Sequence, residues 1–325
     1  MKISETTGRY IFSGLLVVSL ILITYNFTQS SSIQEKDIEF DLIKRYLVTN
    51  SSVARSDKPI IWVHNDYETN DRNWLSFGSR NSKELNKPVV YLTTHSIIKN
   101  CDKSFNICII DDNSFANLIP GWSTDLDSVP EPSKKHYRFV GFLHLLFLYG
   151  GMVLPSSFLC FQDLISVYED HIKKGLFVTE TVPASVLSES TQSFPTANII
   201  GAEKKNEEVH KLIRIMEDKF ISSLTDEASF TGFIEKQMYA AIQTNKCELV
   251  AGSVFGYFDK KGEYISISKL MGDDPIELDD RNVGIHIPID DIIQRKHYDW
   301  FSKIDLDDLP KVNNNIGYLL SKIYC

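Results

Sequence analysis

The sequence predicts an α/β fold: a mostly parallel sheet flanked by helices, standing after an N-terminal transmembrane helix. Three observations predict it. Short apolar runs, rich in β-branched and aromatic residues, alternate with polar spacers from residue 58 onward. One helix-length segment, 136–151, is apolar nearly all round. The chain also opens with a long uncharged stretch, Tyr10 to Gln34.

Within that stretch the apolar core runs from Ile11 to Phe27. A helix of about 17 residues spans a thin hydrocarbon core of roughly 27 Å. Lys2 and Arg9 precede it, and no basic residue follows before Lys36. Positive charge stays cytosolic, so residues 1–10 are expected to be a cytosolic tail and 11–27 a signal-anchor. The body is then exported, giving a single-pass type II membrane protein in the secretory-pathway lumen (Golgi or ER) or another extracytoplasmic space. The competing reading is a cleaved signal peptide, whose apolar region usually runs about 7–15 residues. Residues 28–57 are polar and Ser-rich and form a stem, and Asn50 of Asn50-Ser51-Ser52 is a candidate glycosylation site. The net charge of −9 argues against a nucleic-acid partner. Five cysteines are too few for a disulfide scaffold, and no CxxC pair suggests zinc. Cys101 and Cys108 flank a short turn, where they either pair in an oxidising lumen or stay as buried thiols.

Residues 58–325 are expected to form one domain. PIIWVHN (59–65), PVVYLTT (88–94) and FNICIID (105–111) are expected as buried strands. After a Pro-containing loop, the apolar helix 136–149 ends at Gly150-Gly151, and MVLP (152–155) forms another buried strand. Spacers of helical length between such runs favour parallel pairing. Ile60–Val63, Val89–Leu92, Ile107–Ile110 and Met152–Leu154 should therefore be neighbouring strands, with the apolar helix against them. Further strands are expected at 175–181, 198–203 and 283–289, helices at 207–224 and 232–245, and a hairpin over 253–268 turning at Asp259–Gly262. The C-terminal tail is expected to be helical.

The segment 136–164 carries a resemblance. A helix ending Leu148-Tyr149-Gly150-Gly151, then strand MVL, a short turn and FLCFQDL, resembles the DXD sugar-transferases, the family of mannosyltransferase- and capsular-polysaccharide-synthesis-like enzymes. Ile60-Ile61-Trp62, Ile109 to Asn113 and Ala197 to Ala202 are similar to other strands of that family, and Thr231-Gly232 stands where it often has T-G-P. The resemblance implies a GT-A-type fold, a nucleotide-sugar donor, a glycan or glycoprotein acceptor, and Mn or Mg held by paired carboxylates against the diphosphate. It places the nucleotide-sugar cleft near Trp62, His64, Asp111, Asp112, Gly150 and Gly151.

The departure from the family lies in its charged positions. Where the paired acids belong, the chain has Pro155, Ser156 and Ser157, and the Asp and Arg of the preceding helix fall on Phe139 and Phe142. Proline offers no side-chain ligand, and a neutral hydroxyl is a weak one for a hard cation. Asp111 or Asp112, at a strand end, is the nearest substitute; the simpler reading is a helix cap. Asp273-Asp274, Asp279-Asp280 and Asp290-Asp291 are paired acids better explained as turns or caps, and His64 and His286 as structural histidines. Two functions are therefore expected: sugar transfer from a nucleotide-sugar, or a catalytically inactive protein of the same fold that binds a glycan or a protein partner.

Overall fold

The computed structural model describes residues 58–65, 88–130, 133–182, 194–221 and 227–324. The anchor at 11–27, the stem and Asn50 lie outside the described residues. Among those described, no helix is long and apolar enough to cross a membrane.

In chain order the elements are β1 (Ile60–His64), α1 (Pro88–Cys101), β2 (Asn106–Ile110), α2 (Ser114–Leu118), α3 (Ser133–Tyr149), β3 (Gly151–Pro155), β4 (Phe158–Cys160), α4 (Ile165–His171), β5 (Leu176–Thr181), β6 (Phe194–Ala202), α5 (Glu207–Ile221), α6 (Glu227–Gln243), β7 (Glu248–Val250), α7 (Ile267–Leu270), β8 (Gly284–His286), α8 (Ile289–Gln294) and α9 (Asn315–Tyr324). The main sheet has the order β2-β1-β3-β6-β5-β7. β1 is parallel to β2 and β3, β6 is antiparallel to β3 and β5, and β5 is parallel to β7. β6 is thus the only reversed strand of this sheet, which is otherwise parallel.

With β2 and β3 on either side of β1, right-handed crossovers put α1 on one face and α3 on the other. Packing agrees. α3 sends Val140, Leu143 and Leu146 into a core with Ile60, Trp62, Val153 and Ile200, joined by Val209 and Leu212 of α5 and Met238 of α6. The alternate residues Ile61, Val63, Met152 and Leu154 are as deeply buried and face the other layer. Both faces of the sheet are covered, which is why its strands are apolar runs without alternation.

Val89–Leu92 is not a strand. It forms the first turns of α1, with Pro88 at the helix start, where its fixed φ and missing N–H are tolerated. Every residue from Val89 to Thr94 is buried, so no 3.6-residue stripe appears. The β-branched Thr93 is accommodated with its hydroxyl 3.0 and 3.1 Å from the carbonyl oxygens of Val89 and Val90. Residues 253–268 turn at Asp259–Gly262 as expected, but without a ladder. One bridge, Phe258 to Tyr264, flanks a loop in which the Asp259 carboxylate accepts from the Lys261 and Glu263 amides and from Lys269. The strand in 283–289 shrinks to β8 and pairs with β4 in a separate two-stranded sheet. Cys101 and Cys108 are both buried free thiols, and Cys101 faces Cys160 instead.

Gly150 and Gly151 have a structural explanation. The Gly150 amide closes α3 onto the Leu146 carbonyl at 2.8 Å with φ +76°, a left-handed helix end. Gly151 has φ +99°, and a Cβ there would stand 2.2 Å from the Ile60 carbonyl oxygen. β3 can lie beside β1 only because that atom is missing.

Candidate functional site

Parallel strands present their C-terminal ends to a common edge, where open α/β sheets hold ligands. Here the ends of β1 and β3 are in register, His64 opposite Pro155. Pro155 has no amide hydrogen to extend the ladder, and the chain leaves the sheet there. A cleft of about 440 Å³ opens at this edge, with His64, Asn65 and Pro155-Ser156-Ser157 among its lining. The segment is held from both sides: the Thr93 hydroxyl of α1 donates to the Ser156 carbonyl at 2.6 Å, and the Ile287 amide to the Ser157 carbonyl at 3.1 Å.

α3 supplies one wall through Lys135, Arg138, Phe139 and Phe142. The two phenylalanines stand where the resemblance calls for Asp and Arg, and Arg138 reaches the cleft from the adjacent position. The lining also includes Asn198 of β6, His286 at the end of β8, and Asp290 and Asp291 in the first turn of α8.

Asp112 lies behind this wall. Arg138 grips it with two hydrogen bonds of 2.7 Å, one to each carboxylate oxygen, and His64 Nε2 lies 2.8 Å from Oδ1. The His64 ring is also flanked by Phe115 and Phe142, at centroid distances of 6.0 and 6.1 Å. Burial alone would raise the Asp112 carboxyl, but the hydrogen bonds and charges of His64 and Arg138 outweigh it and hold the group well below the usual carboxylate range. Asp112 therefore fixes the orientation of two cleft residues. Asp111 is engaged as well: its carboxylate accepts from the Ser114 amide at 2.9 Å and the Ser114 hydroxyl at 2.6 Å, in the turn that leads into α2. Burial pulls His286 down to about 4 against an opposing pull from Asp290, so its ring is neutral at pH 7. It stacks on Tyr257 at 5.4 Å.

Of the residues expected in the cleft, His64, Pro155, Ser156 and Ser157 line it. Trp62 does not. It is fully buried beneath α3, donating to the Gly150 carbonyl at 3.0 Å and packing on Tyr149 at 5.7 Å. Gly150 and Gly151 sit at the start of β3, the end away from the cleft, and Asp111 and Asp112 are spent on a turn and an ion pair. The positions named by the resemblance do not fit the divalent metal that it implies: Pro155 and Ser157 bring no carboxylate, and Asp111 and Asp112 are engaged by Ser114 and by Arg138. Among the described residues, no three His, Cys, Asp or Glu side chains are grouped to hold a metal ion. Lys135 and Asn198 were missed by sequence reasoning, because nothing in their local pattern distinguishes them from solvated positions. Asp290-Asp291 was visible as a pair of acids, but not its place in the cleft.

No protein-family profile matches the chain, and no curated protein matches it. Among solved structures, it is similar to the PaToxG glycosyltransferase at a TM-score of 0.34 and 14% identity, over 66% of this chain and 83% of that one. It is also similar to the glycosyltransferase GlyE of Streptococcus pneumoniae TIGR4, at a TM-score of 0.36 and 11% identity, over 83% of this chain. The chain spans 64% of GlyE.

Proposed function

We propose that this chain is a glycosyltransferase-like protein, anchored by residues 11–27, whose cleft takes a nucleotide-sugar. The observation that carries the reading is the cleft itself: it opens where β1 and β3 end together, at Pro155-Ser156-Ser157, the positions at which the resemblance sets the paired acids. Lys135 and Arg138 on α3 bring positive charge to the cleft lining, where Arg138 is also held by Asp112, and Asp290 and Asp291 bring acceptors suited to sugar hydroxyls. In an active enzyme one of these two aspartates is the candidate general base for an acceptor hydroxyl. The second reading, an inactive protein that binds a glycan or a protein partner, is favoured by one specific observation: Pro155 and Ser157 stand where paired carboxylates belong.

A thermal-shift series of the full chain with sugar-nucleotides, with and without manganese, tests the proposal. Stabilisation by a nucleotide-sugar, independent of manganese and reduced by Arg138→Gln, is expected. No shift with any nucleotide-sugar would favour the second reading. The double substitution Pro155→Asp and Ser157→Asp is expected to make binding manganese-dependent. A folded double variant indifferent to manganese would refute the placement of the acid positions. The type II topology is tested on sealed vesicles, where added protease should spare everything beyond Gln34; cleavage of the body there would refute it.

A further inference from the structure

We propose that Cys101 and Cys160 form a disulfide when the chain folds in an oxidising compartment, stapling α1 to β4 behind the floor of the cleft. The two thiols end adjacent elements and stand 3.8 Å apart, sulfur to sulfur, each with no exposed surface. A disulfide needs about 2 Å, so the sulfurs have less than 2 Å to travel.

The backbones around the pair are already fixed for it. The Asn100 side-chain amide donates to the Cys160 carbonyl at 3.0 Å, and the Cys160 amide donates to the Ser96 hydroxyl at 2.8 Å. The other buried thiols, Cys108 and Cys247, have no cysteine partner at hydrogen-bonding distance among the described residues. The chemistry balances as thiol–disulfide exchange. One thiolate attacks a sulfur of a low-molecular-weight disulfide and expels one thiol. The second cysteine then attacks the mixed disulfide and expels the other. The two protein thiols lose two electrons and two protons, and the oxidant is reduced to two thiols. Contact with Cys101 and burial both hold the Cys160 thiol protonated in the folded chain. The exchange therefore belongs to folding, before the pair is covered.

The bond would span 59 positions of sequence and enclose β2, α2, α3 and β3. Closing so long a loop restricts the unfolded chain strongly, and a rise in Tm of roughly 5–10 °C is expected over the reduced form. The test refolds the full chain with oxidised and reduced glutathione, quenches with N-ethylmaleimide in denaturant, and maps unreduced peptides by mass spectrometry. A Cys101–Cys160 cross-linked peptide, with Cys108 and Cys247 alkylated, is the expected result. Alkylation of both Cys101 and Cys160, or linkage of either to Cys108, would overturn the proposal. Cys101→Ala and Cys160→Ala should each abolish the Tm difference between oxidised and reduced samples, but the peptide map on the unmutated chain decides the matter without them.

Discussion

Gly151→Ala is expected to destabilise the domain by about 4 kcal/mol or to prevent folding. The methyl carbon would lie 2.2 Å from the Ile60 carbonyl oxygen and 2.9 Å from its carbon, at φ +99°. Both obstacles are backbone, so no side chain can step aside. Relief requires β3 to move away from β1 and lose the parallel pairing that frames the cleft. Gly150→Ala should cost less, because its added carbon meets the Lys204 amide at 2.9 Å at a loop rather than inside the sheet. Gly121→Ala is the control: it has φ +84° but nothing within 4 Å, so only the left-handed penalty of about 1–2 kcal/mol applies. Urea unfolding of the three variants should rank them in that order. A Gly151→Ala protein with a midpoint near that of Gly121→Ala would show that the tight approach of β3 to β1 is wrong.

Arg138→Ala is expected to cost about 2–4 kcal/mol at pH 7. Arg138 and Asp112 are 12% and 15% exposed, and removing the guanidinium leaves a carboxylate in poor contact with water, with only the His64 ring beside it. The pH dependence gives a second signature. Because the folded state holds the Asp112 carboxyl below its unfolded value, near 4, the associated stability is complete above the ordinary carboxylate range. It is lost as pH falls through and below that range. Asp112→Asn should therefore flatten the acid limb of the stability curve relative to the unmutated chain, and Arg138→Ala should flatten it in part. Other depressed carboxyls, such as Asp259 beside Lys269, leave a residual slope in every variant. An acid limb unchanged by Asp112→Asn would rule out the ion pair as the source.

Much of the sheet is legible in the sequence because β1, β2, β3 and β5 are short, continuous apolar runs whose burial on both faces selects their composition. The same property conceals α1. A helix buried on every side shows no stripe, and Val89-Val90 carries a strand-like composition; the informative marks were Pro88 ahead of it and the length of the run through Ile97-Ile98. The Tyr149-Gly150-Gly151 turn is legible because its two glycines answer local demands, a helix end and a backbone contact. The cleft is legible only on the strand side, at Pro155 to Ser157. Its other lining residues come from positions 135–142, 197–198 and 286–291, which meet through tertiary packing, and no local spacing encodes that Lys135 and Asp290 line one cleft.

The order of the main sheet also bears on how the protein resists sticking to its neighbours. A row of unpaired backbone groups at the margin of a sheet is a template for strands from other chains. The two margins here are β2 and β7. In β2, Ile107 to Ile110 are buried, so that margin is roofed over. β7 has only three residues, too short to seat a foreign strand firmly. Among the described residues, strand addition is therefore disfavoured at both ends of this sheet.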